Sequence, residues 1–224
     1  MREDLGGRFQ LRATRRSTMK KPESPPTRPR SIEALRKATD ACRECPLGAN
    51  ATQSVMGEGP LNAVLMVVGE QPGDKEDLTG RPFVGPAGGL FDRAIAELGW
   101  NRERLYVTNA VKHFKFELRG KRRMHKTPAQ REIDACHHWL EEEIARVKPK
   151  AFLALGATAA RTLLQRPVAV MRERGHWQED VAGRRVLVTL HPSALLRGDP
   201  EQREAAWANW LEDLSVASDL LLSR

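Results

Sequence analysis

Ala63-Val64-Leu65-Met66-Val67-Val68-Gly69, running on into Glu70-Gln71-Pro72-Gly73, is the stretch that decides the fold. A strand with one wet face would alternate polar and apolar residues. This run is apolar almost throughout and ends in a Gly/Pro turn, so it reads as a strand covered on both faces. Leu105–Val111 (LYVTNAV), Ala151–Leu155 (AFLAL) and Val186–Leu190 (VLVTL) have the same character. Helical segments are expected over Gly88–Leu98, Pro128–Val147, Ala157–Leu164 and Glu201–Leu222. Buried strands alternating with helices predict an α/β protein, a three-layer α/β/α sandwich around a central, mostly parallel four-stranded sheet.

Two helix starts can be read in detail. Ser31 is an N-cap candidate, with Ile32, Leu35 and Ala38 following at helical spacing toward Cys42. Thr127 is the N-cap candidate of the second long helix, with Pro128 at its first position and Gln130 completing a capping box. Ile133, Cys136, Leu140, Ile144 and Val147 form the inward stripe of that helix. His125 lies two residues before the expected cap, where a loop empties into a helix N-terminus, a favourable place for a phosphate.

The chain has 224 residues and a formal charge of +8, unevenly placed. Residues 1–31 carry nine Lys/Arg against three Asp/Glu, and residues 112–131 carry eight Lys/Arg against one Glu, so the rest is net acidic. Residues 1–30, rich in Pro, Arg, Lys and Ser, read as a disordered basic tail, and 31–224 as the folded domain. A basic loop beside an otherwise acidic body suits a phosphate backbone laid along one face. With no apolar span of membrane length and no signal-peptide run, no membrane partner is expected, and a cytoplasmic protein is, nucleoid-associated when bound to DNA. Three cysteines, Cys42, Cys45 and Cys136, are too few and too odd in number for a disulfide framework. A C-x-x-C pair in a reducing compartment points to a metal or redox site instead, one ligand short of four.

In an open parallel sheet, ligands bind beyond the carboxyl ends of the strands. That rule selects Glu70 and Gln71 after the first strand, Asn109 near the end of the second, and His191-Pro192-Ser193 after the fourth. An acid, an amide and an imidazole thus share one rim with the basic loop beside them. Such a set can bind a base edge and handle protons.

Gly69-Glu70-Gln71-Pro72-Gly73, Gly80-Arg81-Pro82-Phe83-Val84-Gly85, His191-Pro192-Ser193 and Cys42-x-x-Cys45 together resemble the family-4 uracil-DNA glycosylases. Val111-Lys112-His113-Phe114-Lys115-Phe116 and Lys121-Arg122-Arg123-Met124-His125-Lys126-Thr127-Pro128 resemble a subgroup, UdgX, that forms a covalent complex with uracil-containing DNA. The likeness spans residues 40 to 215, and the loop ending His125-Lys126-Thr127-Pro128 is its most specific part. It implies a uracil-DNA glycosylase-like fold and a [4Fe–4S] cluster on Cys42, Cys45, His113 and Cys136. From residue types alone, the same three thiols and imidazole would suit zinc equally, and His137 and His138 compete with His113 as ligands.

The resemblance also assigns roles. Phe83 would be the platform on which extruded uracil stacks, and Asn109 would pair with O4 and N3–H. His191 would donate to O2, where negative charge develops, a contact worth about 3–4 kcal/mol of barrier. Gln71 and Asp74 would complete the pocket turn. His125 would trap C1′ of the sugar, giving an adduct that persists and a single turnover. Neutral imidazole is the reactive form, and neighbouring Lys121, Arg122, Arg123 and Lys126 are expected to favour it by lowering the pKa. Glu70 would orient that ring, accept its proton or stabilise the sugar cation. Lys121, Arg122, Arg123, Lys126 and Ser193 would hold phosphates, and Leu195 would wedge into the vacated stack. The expected partner is uracil-containing DNA, single-stranded and in principle duplex, bound by a monomer. A conventional multiple-turnover glycosylase and a non-catalytic uracil-DNA binder are the competing functions.

Overall fold

The computed structural model describes residues 31–222; the expected basic tail, 1–30, lies outside them. Among the described residues there are seven strands: β1 (Leu65–Gly69), β2 (Leu105–Asn109), β3 (Phe116–Arg119), β4 (Arg122–His125), β5 (Ala151–Leu155), β6 (Trp177–Glu179) and β7 (Arg185–Thr189). Five form the central sheet in the order β2-β1-β5-β7-β6, and β3 pairs with β4 in a separate hairpin. The α/β class and the parallel core stand, but the sheet has five strands where four were expected. The addition, β6, runs antiparallel to β7 at the edge. Its three residues are too short to show a period.

The parallel registers set the site. Gly69 pairs with Asn109 across β1 and β2, and Leu155 pairs with Thr189 across β5 and β7. All four strands therefore finish at one rim, and the segments that leave them meet there. The chain passes from β1 to β2 on one side and then crosses back over β1 to β5. This reversal opens a crevice beyond β1 and β5.

Both sheet faces are covered. Leu65, Val67, Leu153 and Leu187 pack with Phe91 and Trp210 on one side. Met66, Val68, Phe152 and Val186 pack with Leu140 and Leu163 on the other. Each such side chain contributes about 1.5–3 kcal/mol by leaving water. A third cluster joins Leu35 and Leu47 of the N-terminal segment to Val111, Ile133, Cys136 and Trp139.

Ser31 caps the first helix, accepting from the Ala34 N–H at 3.1 Å. The long helix starts later than its sequence suggests, at Gln130. Ala129 is its N-cap, and the Ala129 N–H is taken by Glu132 at 2.6 Å, so Glu132 rather than Gln130 closes the start. The C-terminal segment read as one helix divides into a 3₁₀ turn, Pro200–Gln202, and two helices, Arg203–Ser215 and Ser218–Leu222. Residues 112–131, read as a loop, contain the β3–β4 hairpin, which reverses at Gly120 with φ of 60°. Among the described residues no helix is long and apolar enough to cross a membrane.

Candidate active site

The crevice at the sheet's rim is a cleft of about 840 Å³. Glu70, Gln71, Asp74, Phe83, Asn109, His125, His191 and Ser193 all line it, so residues far apart in sequence meet as the strand-end rule requires. Asn109, the last residue of β2, is buried, and its side-chain amide has no hydrogen-bond partner among the described residues. Phe83 sits beside it with a positive φ of 56°. Non-glycine residues hold that conformation only when their surroundings compel it. Gly69 makes room for both: a Cβ there would lie 2.7 Å from the Phe83 ring and would collide with the Asn109 carboxamide oxygen. Phe83 also meets Phe91 edge-on, with ring centres 6.0 Å apart.

His191 is fixed as a neutral donor. The Ser193 backbone N–H donates to its Nδ1 at 3.2 Å, and the Ser193 Oγ lies 2.8 Å from the same nitrogen. A backbone N–H can only donate, so Nδ1 is an acceptor and the proton sits on Nε2. Burial, helped by His125 and Arg197, pushes the His191 pKa down to about 4. Ser193 therefore orients the imidazole, where a phosphate contact was expected.

His125 closes β4, opposite Phe116 in the hairpin. Its Nε2 stands 3.6 Å from Glu70 Oε1. The other oxygen of Glu70 accepts from Thr158 Oγ1 at 2.6 Å, so the carboxylate is aimed across the cleft. The His125 pKa is lowered by burial, against the opposing pull of Glu70, with Arg197 adding to the lowering. The direction matches the sequence reading, but the cause does not: desolvation and Arg197 act here, where the adjacent cations were expected to.

The cations of residues 112–131 are mostly committed elsewhere. Lys112 is fully buried against Glu143, Lys115 pairs with Glu132, and Lys126 pairs with Glu117. Arg123 pairs with Asp74 at 2.6 Å and Asp77 at 2.5 Å while lying over the Phe114 and Phe116 rings. These contacts pin the hairpin to the segment that follows β1. Lys121 and Arg122 are exposed at the hairpin end, where a phosphate could reach them. Asp74 is correspondingly an anchor for Arg123 at the cleft's edge.

Gln71 holds the base of the same hairpin. Its Oε1 accepts from the Lys115 N–H at 2.9 Å, and its Nε2 donates to the Lys126 carbonyl at 2.9 Å and the Lys115 carbonyl at 3.3 Å. The amide is occupied by backbone, so within the pocket turn Gln71 acts as a clamp on the hairpin. Because Glu70 precedes Gln71 and His125 precedes Lys126, this clamp sets the Glu70–His125 distance.

Leu195, the expected wedge, is 7% exposed and packs with the core. Its neighbour Leu196, 47% exposed, lines the cleft instead. The alternation of sides along the short helix Pro192–Arg197 decides between two identical residue types, which composition cannot. Thr158 and Arg197 were not singled out from sequence. Thr158 follows the end of β5 and would have emerged had the strand-end rule been applied to that strand.

Cys42, Cys45 and Cys136 pack on one apolar cluster. The Lys112 N–H donates to Cys136 Sγ at 3.2 Å, and burial pushes that thiol up to about 12. The next residue, His113, is 3% exposed with an Nε2 that has no partner among the described residues, and burial lowers its pKa. A buried, neutral, unpartnered imidazole is in the form a metal ligand requires. His137 and His138 instead face Glu141 and Glu44 at the surface. Among the described residues no three His, Cys, Asp or Glu side chains stand close enough to hold one metal ion.

The parallel sheet with an acid, an amide and a neutral imidazole at its rim defines a class of base-processing α/β proteins, and comparison with known proteins specifies it. Residues 56–215 match the uracil DNA glycosylase superfamily. The chain is 38% identical to a type-4 uracil-DNA glycosylase of Thermotoga maritima over 76% of its own length and 86% of the relative's. It is 33% identical to the type-4 enzyme of Pyrobaculum aerophilum, over 74% and 85%, and 33% identical to that organism's type-5 enzyme, over 61% and 64%. The chain belongs to the uracil-DNA glycosylase superfamily, in its type-4 family.

Proposed function

We propose that this protein excises uracil from DNA and retains the abasic sugar on His125 in a single turnover, as the UdgX subgroup does. The observation that carries this reading is the placement of His125, 3.6 Å from Glu70, in the same cleft as the neutral donor His191. Uracil leaves the base stack and enters against Phe83. The Asn109 amide, which has no partner among the described residues, donates to O4 and accepts from N3–H, and cytosine offers the opposite pattern. As the N1–C1′ bond breaks, its electrons pass to the base. His191 Nε2–H meets the charge developing at O2, and a preorganised donor there acts without rearrangement. The imidazole lone pair of His125 then forms the new bond to C1′. The positive charge moves onto the ring, where Glu70, held by Thr158, balances it or takes the ring N–H proton.

Cys42, Cys45, His113 and Cys136 are the residues that would hold a [4Fe–4S] cluster. Such a cluster is bound at separate corners, one ligand each, which tolerates wider ligand spacing than a single ion. When bound, it supplies a crosslink between the N-terminal segment, the end of β2 and the long helix. The DNA partner is single-stranded or duplex uracil-DNA, bound by a monomer through Lys121, Arg122 and Arg197 at the rim.

A second reading rests on the half-exposure of His125, whose side chain is 49% exposed and makes no hydrogen bond among the described residues. In it Glu70 directs a water to C1′, His125 only touches DNA, and turnover is multiple. Counting free uracil against protein separates the two. The covalent reading expects release to stop at one uracil per protein molecule. Release continuing through many equivalents would establish the conventional enzyme, and none at all would leave a binding module.

A further inference from the structure

We propose that Lys112, paired with Glu143, is the positioning residue that fixes Asn109 for base selection; the inference rests on the uracil-binding reading above. Asn109 is the last residue of β2 and is buried. A buried carbonyl needs a donor. The Lys112 ammonium supplies it at 2.6 Å and donates as well to Thr108 Oγ1 at 2.9 Å and Glu143 Oε2 at 2.6 Å. Glu143 in turn accepts from the Thr108 hydroxyl at 2.7 Å, the Tyr106 hydroxyl at 3.2 Å and the Gly57 N–H at 2.6 Å. Both charged side chains are 0% exposed.

A fully buried ion pair is poor material for stability alone, because desolvating two charges costs about what their attraction returns. A pair of apolar side chains would fill the same space at no such cost. What the pair provides is direction: three bonds from one ammonium fix the carbonyl of Asn109, whose own amide has no partner among the described residues to orient it. A carboxamide free to turn about its Cβ–Cγ bond would offer donor and acceptor to cytosine and uracil alike. Lys112 touches no part of the cleft, so its effect reaches the base only through Asn109.

The test uses the full-length protein and oligonucleotides bearing 2′-fluoro-2′-deoxyuridine, 2′-fluoro-2′-deoxycytidine or a tetrahydrofuran abasic site, which resist cleavage. The double variant Lys112→Met/Glu143→Gln removes both charges and so strands neither. We expect it to fold, to bind the abasic oligonucleotide as the wild type does, and to lose at least tenfold of the preference for uridine over cytidine. An unchanged preference in the folded variant overturns this inference alone. Absence of preference in the wild type overturns it together with the functional reading. Should the double variant fail to fold, Thr108→Val, isosteric and lacking the hydroxyl between the two charges, carries the test. A smaller loss of preference with intact abasic binding supports the inference, and no loss overturns it.

Discussion

Gln71 holds the hairpin that carries His125 by the backbone of Lys115 and Lys126, so the residue beside the acid Glu70 governs where its partner imidazole stands. Gln71→Ala removes three hydrogen bonds from a hairpin that leaves the body of the fold. At about 0.5–1.5 kcal/mol each, their loss frees the strand end without unfolding the domain. Adduct formation should fall tenfold or more, while uracil excision, which depends on His191 and Asn109, falls less. Parallel single-turnover assays of uracil release and of covalent product check this, and equal losses would contradict it.

Acidification should act on the two imidazoles in sequence. His125 must be neutral to attack, so adduct formation rises with pH and levels off above a pKa displaced below the ordinary 6.5 by burial. His191, with a pKa of about 4, keeps its single Nε2 proton throughout the range from pH 8 to pH 5. Rates measured from pH 8 to pH 5 should therefore show loss of capture before loss of excision. The same shift has a stability consequence. Folding favours neutral His191, so its contribution is fully present above pH 6.5 and is lost as pH falls toward about 4. A chemical-denaturation series at falling pH, in wild type and His191→Asn, reads that difference.

Salt dependence should report only the unpaired cations. Lys121→Ala/Arg122→Ala is expected to weaken DNA binding uniformly and flatten the logarithmic salt slope by roughly 1.4, about 0.7 for each single-strand phosphate no longer neutralised. Arg123→Ala, which breaks ion pairs with Asp74 and Asp77, should leave the slope nearly intact and lower the thermal midpoint. Titrations over a range of salt concentrations distinguish the two.

Leu195 and Leu196 offer a matched pair. Leu195→Ala opens a core cavity and should cost about 2–5 kcal/mol of stability. Leu196→Ala, at the cleft mouth, should change stability by less than about 0.5 kcal/mol and weaken capture of uracil in duplex more than in single-stranded DNA. Denaturation and binding measurements on both variants settle which leucine meets the stack.

The buried strands were legible because Leu65–Gly69 and Ala151–Leu155 are apolar on both faces, a pattern few other structures share. The cleft was legible because parallel strands bring Glu70, Asn109 and His191 to one rim whatever lies between them. Side-chain commitments were not. The basic run at 112–131 reads as a phosphate-binding face, yet its partners Glu143, Glu132, Asp74 and Asp77 come from other elements, and only the fold brings them together. Gln71 reads as a pocket residue for the same reason: the backbone it binds lies 44 and 55 positions away. The edge strand β6 has too few residues to carry a period.

The central claim is that His125 captures the sugar, and one gel tests it. Wild-type protein and His125→Ala are each mixed with a labelled single-stranded oligonucleotide carrying one uracil, boiled in SDS and resolved under denaturing conditions. A shifted band with the wild type, absent with thymine in place of uracil and absent with the variant, is the predicted result. Free abasic product with no shifted band from the wild type would contradict the claim and return His125 to a contact on the DNA.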